Sequence, residues 1–300
     1  MQERVYNPVK EGTKKTIQEH VINAFSVDVE GFIESNVQSF HIPDKYINQS
    51  QENSEIEQNI EILLQVLYEA NIKGTFFFLG RLAQDIPTVI RKVAQANHEI
   101  GCHNYLHIRI FDIQKNVFKE KLSAAKKKLE DVSGQAVYGF RSPDFSITKS
   151  SIWALDILKE AGFAYDSSIY PFGLHDVYGI KEAATYIHKL PNGLIEFPMS
   201  TFDVFGHNLP FGGGGYFRLY PVCLTQFLIN RSNKIGRPCM FYIHPYEVGH
   251  VIPYISELSA YRKFRHYYNC KNGQARLHKL LKSVSFNSIT AVLKEQGFTL

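Results

Sequence analysis

The chain has 300 residues, 44% hydrophobic and 21% charged, which suits one large globular domain with a buried core. Its net charge of +4 is mild, and its most basic run, KEKLSAAKKKLE at 119–130, alternates Lys with Glu and apolar residues, the pattern of a solvated helix face and not of a nucleic-acid footprint. Four scattered cysteines (Cys102, Cys223, Cys239, Cys270) specify neither a disulfide framework nor a cysteine zinc site, and no apolar run approaches a membrane span.

Residues 1–20 are polar, read as a peripheral lead-in, and lack the apolar region of an export signal, so a cytoplasmic protein is expected. NAFSVDVEGF (23–32) reads as a short buried strand whose end carries acids, and the Ser-, Asn- and Gln-rich stretch 33–54 as a polar loop. Apolar residues at helical spacing predict a helix over 56–71, followed by the strand KGTFFFLG. RLAQDIPTVIRKVAQAN is a further helix, with Pro87 in its first turn or at a break. HEIGCHNYLH is a strand ending in His103 and His107, and VFKEKLSAAKKKLEDVSG a helix with Gly134 as its C-cap.

The rhythm continues with strand VYGFRSP, helix SSIWALDILKEAG and strand FAYDSSI. Beyond residue 170 the helical signal lapses into Gly-, Pro- and aromatic-rich segments, then returns in PVCLTQFLINRSNKIG before the late strand PCMFYIHPYE. The tail ARLHKLLKSVSFNSITAVLKEQGF reads as one or two covering helices. Short strands alternating with helices predict an α/β fold around a parallel sheet, open or closed as a barrel, with no linker dividing it.

SVDVE, GCHNYLH, GFRSP, YDSSI and YIHP all fall at C-terminal ends of predicted strands. In a (β/α) barrel those ends share one face, where loops build the active site. A zinc-type ion takes imidazole nitrogens and carboxylate oxygens. His103 and His107, at i and i+4, face the same way if the chain turns helical after its strand. Asp28 or Glu30 can supply a third ligand, leaving the other acid to take a proton from the attacking water. Taken singly, the His pair is more often structural, and an acid at a strand end is often only a cap. Their combination on one face of the fold is the stronger signal.

The order SVDVE, TFFFLG, HEIGCHNYLH, GFRSPDFSIT, YDSSI, FYIHP resembles the polysaccharide deacetylase (NodB-homology, carbohydrate esterase) family. LPFGGGGYFRLYP and FYIHPYE are similar to its subgroup found beside exopolysaccharide-assembly loci. The resemblance covers roughly 21–250 as a catalytic domain, with 251–300 as a short helical extension packed on it. It implies a distorted (β/α) barrel of about seven strands that hydrolyses the N-acetyl group of an amino sugar in a polysaccharide or its precursor. A divalent metal is implied too, zinc first and cobalt, nickel or manganese as alternatives. Asp28 then matches the catalytic base, Glu30 falls near the acidic ligand, and His103 and His107 match the histidine ligands. Arg141 matches the arginine that orients the base, the backbone N–H near Asp144 an oxyanion donor, and His244 the general acid. Asp166 resembles the acid that supports this histidine.

Two departures stand out. The family's adjacent aspartates are replaced by Asp28-Val29-Glu30, and the Trp of the fourth motif is absent, with Tyr170 or Phe172 available as a wall. The alternatives are therefore a deacylase of a non-sugar amide or formamide, and a catalytically silent carbohydrate-binding protein. The glycines 212–215 lack the GK[ST] of a phosphate loop and read as a tight turn near the site, with Tyr216 and Phe217 either stacking on sugar or core. Cys102 should point away from its neighbour His103 and be a small buried residue. His175, His188, His207 and His250 have no matching partner and receive no role.

Overall fold

The computed structural model describes residues 21–40, 42–173 and 179–300; the expected lead-in over 1–20 and His175 lie outside them. The strands are β1 (Asn23–Val29), β2 (Thr75–Phe78), β3 (Glu99–Cys102), β4 (Gly139–Phe140), β5 (Tyr165–Asp166), β6 (His188–Lys189), β7 (Ile195–Glu196), β8 (Thr201–Val204), β9 (His207–Pro210), β10 (Met240–Ile243) and β11 (Phe286–Asn287). Seven of them run parallel in the order β10-β1-β2-β3-β4-β5-β7. The antiparallel β6 follows β7, and β11 pairs with the start of β1. The result is an α/β fold around a curled half-barrel sheet, as the sequence predicts.

Both faces of this sheet are covered, which is why β2 is Phe-rich throughout and not alternating. Phe25, Val27, Phe76 and Phe78 meet the apolar stripe Ile56, Ile60, Leu63 and Leu67 of the helix Gln49–Glu69 on the outer face. Ala24, Phe77, Tyr165, Ile195, Met240 and Tyr242 form a second cluster on the other face.

Pairing register aligns the strand ends. Phe78 stands beside Cys102, Cys102 beside Phe140, and Phe140 beside Asp166. Main-chain bonds continue the ladder one step further, from His103 N–H to the Phe78 carbonyl and from Arg141 N–H to the Cys102 carbonyl. His103 and Arg141 thus leave the sheet side by side.

Several elements differ from the sequence reading. The stretch 33–54 is largely helical, with a helix at Phe32–Phe40 and the next starting at Gln49, where the Asn48 side chain accepts the Gln51 N–H at 3.1 Å. The helix around Pro87 divides into Leu82–Asp85 and Pro87–Gln95. A hairpin, β8–β9, occupies the Gly- and aromatic-rich region, with Phe205 and Gly206 at positive φ in its turn. The tail 275–298 carries two helices, Gly273–Leu281 and Ile289–Glu295, as expected, but with β11 between them and a further helix, Ala260–Tyr267, ahead of it. Gly134 caps its helix in the left-handed region, as expected. Among the described residues no helix is long and apolar enough to cross a membrane.

Candidate active site

The acids of SVDVE sit where β1 ends: Asp28 is its penultimate residue and Glu30 lies just beyond, both buried. Glu30 is a meeting point for three imidazoles. Its Oε2 lies 3.1 Å from His103 Nε2 and 2.8 Å from His107 Nε2, while its Oε1 lies 3.0 Å from His244 Nε2. Burial works against the Glu30 carboxylate, yet the charge of His107 and hydrogen bonds from all three rings hold it well below the usual range. Burial likewise opposes protonation of His107, and Glu30 outweighs it, raising that ring to about 9.

The two histidines do not meet through a helical turn. Residues 103–109 form an irregular loop in which Asn104 adopts a left-handed conformation (φ 69°), a conformation Asn tolerates better than most residues. This turn brings the rings to a 5.9 Å centroid separation. Cys102 points into the core, as expected from strand alternation, and burial pushes its thiol up to about 12, which suits neither ligand nor nucleophile.

Ligand atoms of Glu30, His103 and His107 lie within 4.8 Å of one another, all buried. His103 Nδ1 is 2.9 Å from the Arg141 carbonyl oxygen, which can only accept, so Nδ1 carries a hydrogen and the ring is held with Nε2 facing Glu30. A carboxylate and imidazole nitrogens converging on one buried point are the donor set of a zinc-type ion, and the residues fit that group.

Beside this cluster lies a second one. Arg141 is fully buried and donates from Nη1 to Asp28 Oδ1 and to Ser26 Oγ, each at 2.7 Å. Its Nε and Nη2 donate to the carbonyl and hydroxyl of Ser167, both at 3.0 Å, and its guanidinium lies 4.4 Å from the Phe77 ring centroid. Asp144 and Phe145, in the next turn, both adopt left-handed φ values (51° and 49°), and Arg109 holds the Asp144 carboxylate at 2.7 Å. Such backbone strain concentrates at functional sites.

His244 is placed differently from the sequence expectation. Its Nδ1 lies 3.1 Å from Glu247 Oε2, not against Asp166, whose carboxylate accepts the N–H and hydroxyl of Ser168 at 3.1 and 2.6 Å. Asp166 and Glu196 form a buried acid pair, and burial raises both, Glu196 the more strongly because Asp166 faces it. Asp166 instead supports the Arg141 turn, because Ser168 Oγ also accepts the Ser142 N–H at 2.8 Å. Glu247 and its partner Arg218 received no role from the sequence. The readable signals were an acid three residues after His244 and an arginine three residues after the glycine run. Phe217 is a core residue against Phe241, and Tyr170 and Phe172 are buried, Tyr170 packing edge-on against Phe145.

The polysaccharide deacetylase family model matches residues 43–165, and a model described only as a domain of unknown function matches residues 167–294. Among curated proteins, the chain is 27% identical over 95 residues to the peptidoglycan-N-acetylglucosamine deacetylase of Bacillus cereus, a match spanning 31% of this chain and 34% of the relative. It is 32% identical over 80 residues to the chitooligosaccharide deacetylase of Azorhizobium caulinodans, spanning 26% of this chain and 38% of that one. The chain thus spans about a third of the length of the curated relatives it matches. Its fold is similar to the crystal structure of a candidate polysaccharide deacetylase from Mycobacterium smegmatis, with a TM-score of 0.64 and 19% identity over 98% of this chain and 96% of the other. Motif order and these matches agree that residues 43–165 match the polysaccharide deacetylase family.

Proposed function

We propose that this protein is a metal-dependent hydrolase that removes the N-acetyl group of an amino sugar in a polysaccharide or its precursor. The observation that carries the reading is Glu30 buried among His103, His107 and His244, beside the Asp28–Arg141 pair. A divalent ion, zinc in our reading, would be held by Glu30, His103 and His107, and when bound it supplies Lewis-acid polarisation of the acyl carbonyl and acidifies water. The longer Glu arm fits the departure from paired aspartates, since Glu30 reaches both ligand histidines while Asp28 engages Arg141.

Asp28 accepts the proton of the attacking water. Arg141 fixes its Oδ1 at 2.7 Å, leaving the second oxygen for the base role. A main-chain N–H of the turn at Asp144 is the donor for the developing oxyanion in this reading. As the C–N bond breaks, His244 Nε2 passes its proton to the departing amine, so acetate and a free amine leave together. Each such proton transfer is typically worth about 10²–10⁴ in rate.

Acetate release from N-acetylglucosamine oligomers, assayed with chelated and zinc-supplemented protein, tests this reading. Zinc-dependent acetate release supports it. Formate release from a formamide, or hydrolysis of a non-sugar amide alone, replaces the substrate class, and sugar binding without hydrolysis leaves a silent binding protein.

A further inference from the structure

Resting on that reading, we propose that Glu247, clamped by Arg218, is the positioning residue that orients His244 for proton transfer, in place of Asp166. His244 has three constraints on its ring. Tyr246 stacks against it at 5.0 Å with planes 8° apart, and Tyr242 meets it edge-on at 5.9 Å. Those contacts fix the plane but not which nitrogen faces the site. Glu247 supplies the missing constraint: its Oε2 lies 3.1 Å from His244 Nδ1 and accepts the His244 main-chain N–H at 2.9 Å. Nδ1 therefore points away from Glu30, and Nε2 points at it.

A residue that merely capped the short helix Tyr246–Gly249 would have no need of a buried cation. Glu247 has one. Arg218 Nε donates to Glu247 Oε1 at 2.7 Å, and Arg218 Nη1 donates to the carbonyls of Arg265 and His266 at 3.0 and 2.9 Å. Burial opposes ionisation of Glu247, but Arg218 and then His244 hold it down to about 2. The glycine run explains how this dyad fits beneath the site. A Cβ on Gly214 would lie 1.7 Å from Glu247 Oε2, and one on Gly213 would lie 2.6 Å from the Tyr242 ring. Arg218 follows on the same short helix, Gly214–Leu219. LPFGGGGYFRLYP is thus a cradle for an acid that reaches His244 from the second half of the chain.

The chemistry asks for this acid. When Nε2 gives its proton to the amine, the ring must finish as the neutral Nδ1–H tautomer, and a carboxylate at Nδ1 is what holds that hydrogen there.

The test compares wild type with Glu247→Gln in the zinc-loaded full chain, on an N-acetylglucosamine oligomer and on 4-nitrophenyl acetate. An aryl ester loses its phenolate without protonation, whereas an amine cannot leave unprotonated. The amide kcat should fall about 100-fold, with KM and zinc content unchanged, while ester hydrolysis stays within about threefold of wild type. A parallel loss on both substrates, or no loss on the amide, overturns the assignment. If removing one buried charge prevents folding, Arg218→Met combined with Glu247→Gln removes both and supports the same comparison. If wild type hydrolyses neither substrate, the hydrolase reading fails separately. Nitrogen-15 histidine NMR then decides the orientation: the His244 Nδ1–H resonance should shift in Glu247→Gln while those of His103 and His107 stay, and an unmoved His244 resonance overturns the assignment.

Discussion

Arg141 serves two neighbours at once: its guanidinium holds Asp28 at 2.7 Å, and its main-chain carbonyl accepts from His103 Nδ1 at 2.9 Å. One residue at the end of β4 therefore fixes both the proposed base from β1 and a proposed ligand after β3. That coupling makes the two halves of the site one rigid unit, with consequences for substitution at each position.

Arg141→Met should damage stability and activity together. It leaves Asp28 buried without its cation and removes the bonds to Ser26 and Ser167. Breaking a buried pair from one side costs about 3–5 kcal/mol. Urea denaturation of the two proteins measures this, and a loss below about 1 kcal/mol would mean that Arg141 does not hold Asp28 in the way described.

Asp28→Asn should separate chemistry from metal binding. The variant keeps Glu30, His103 and His107 and so should bind zinc stoichiometrically, while acetate release falls by about 10²–10⁴. Metal content by plasma emission spectrometry and acetate assays on the same sample check both halves. Full activity in this variant would remove Asp28 from the base role.

Zinc binding should be strongly pH-dependent, because a ligating imidazole must first lose its proton. With Glu30 raising His107 to about 9, that ring is protonated in the metal-free protein at neutral pH. Lowering the pH from 8 to 7 should weaken zinc about tenfold through His107 alone. Calorimetry in buffers of different ionisation enthalpy should record at least about one proton released per ion at pH 7. Binding with no proton release would contradict the placement of His107.

Glu52 predicts a stability effect outside the chemistry. It accepts the Glu34 N–H at 2.8 Å beneath Gly31, where an added Cβ would lie 2.0 Å from its Oε1, and burial pushes its carboxyl up to about 7. An acid whose folded value is raised binds its proton more tightly in the native state. Its cost is therefore absent at low pH, grows as pH rises from about 4.5, and is complete above about 7. Glu52→Gln should stabilise the protein at pH 8 by at most about 3 kcal/mol and change little at pH 4. Denaturation midpoints at the two pH values test this; equal effects at both would mean that Glu52 is not buried protonated.

The parallel sheet and the positions of Asp28, His103, Arg141 and His244 were legible because they sit at strand ends, where short apolar runs stop abruptly at polar residues. What escaped was set by contacts distant in sequence. The helix Phe32–Phe40 and the start of the next lie in a polar stretch of weak helical propensity, although Asn48 is a readable cap. The His103–His107 convergence depends on the left-handed Asn104, and no spacing rule distinguishes that turn from a helix. Asp166 was assigned to His244 by motif order, but the strand register puts it beside Phe140, where Ser168 links it to the Arg141 turn. Glu247 could be matched to Arg218, 29 positions earlier, only once the fold brought them together.

The central claim is that Glu30, and not Asp28, joins His103 and His107 around a cation. Anomalous diffraction at the zinc edge from zinc-soaked crystals tests it most directly. The predicted result is one strong peak within bonding distance of Glu30, His103 and His107, with Asp28 still paired to Arg141. A peak coordinated by Asp28 with Glu30 turned away, or no peak among these residues at saturating zinc, would contradict it.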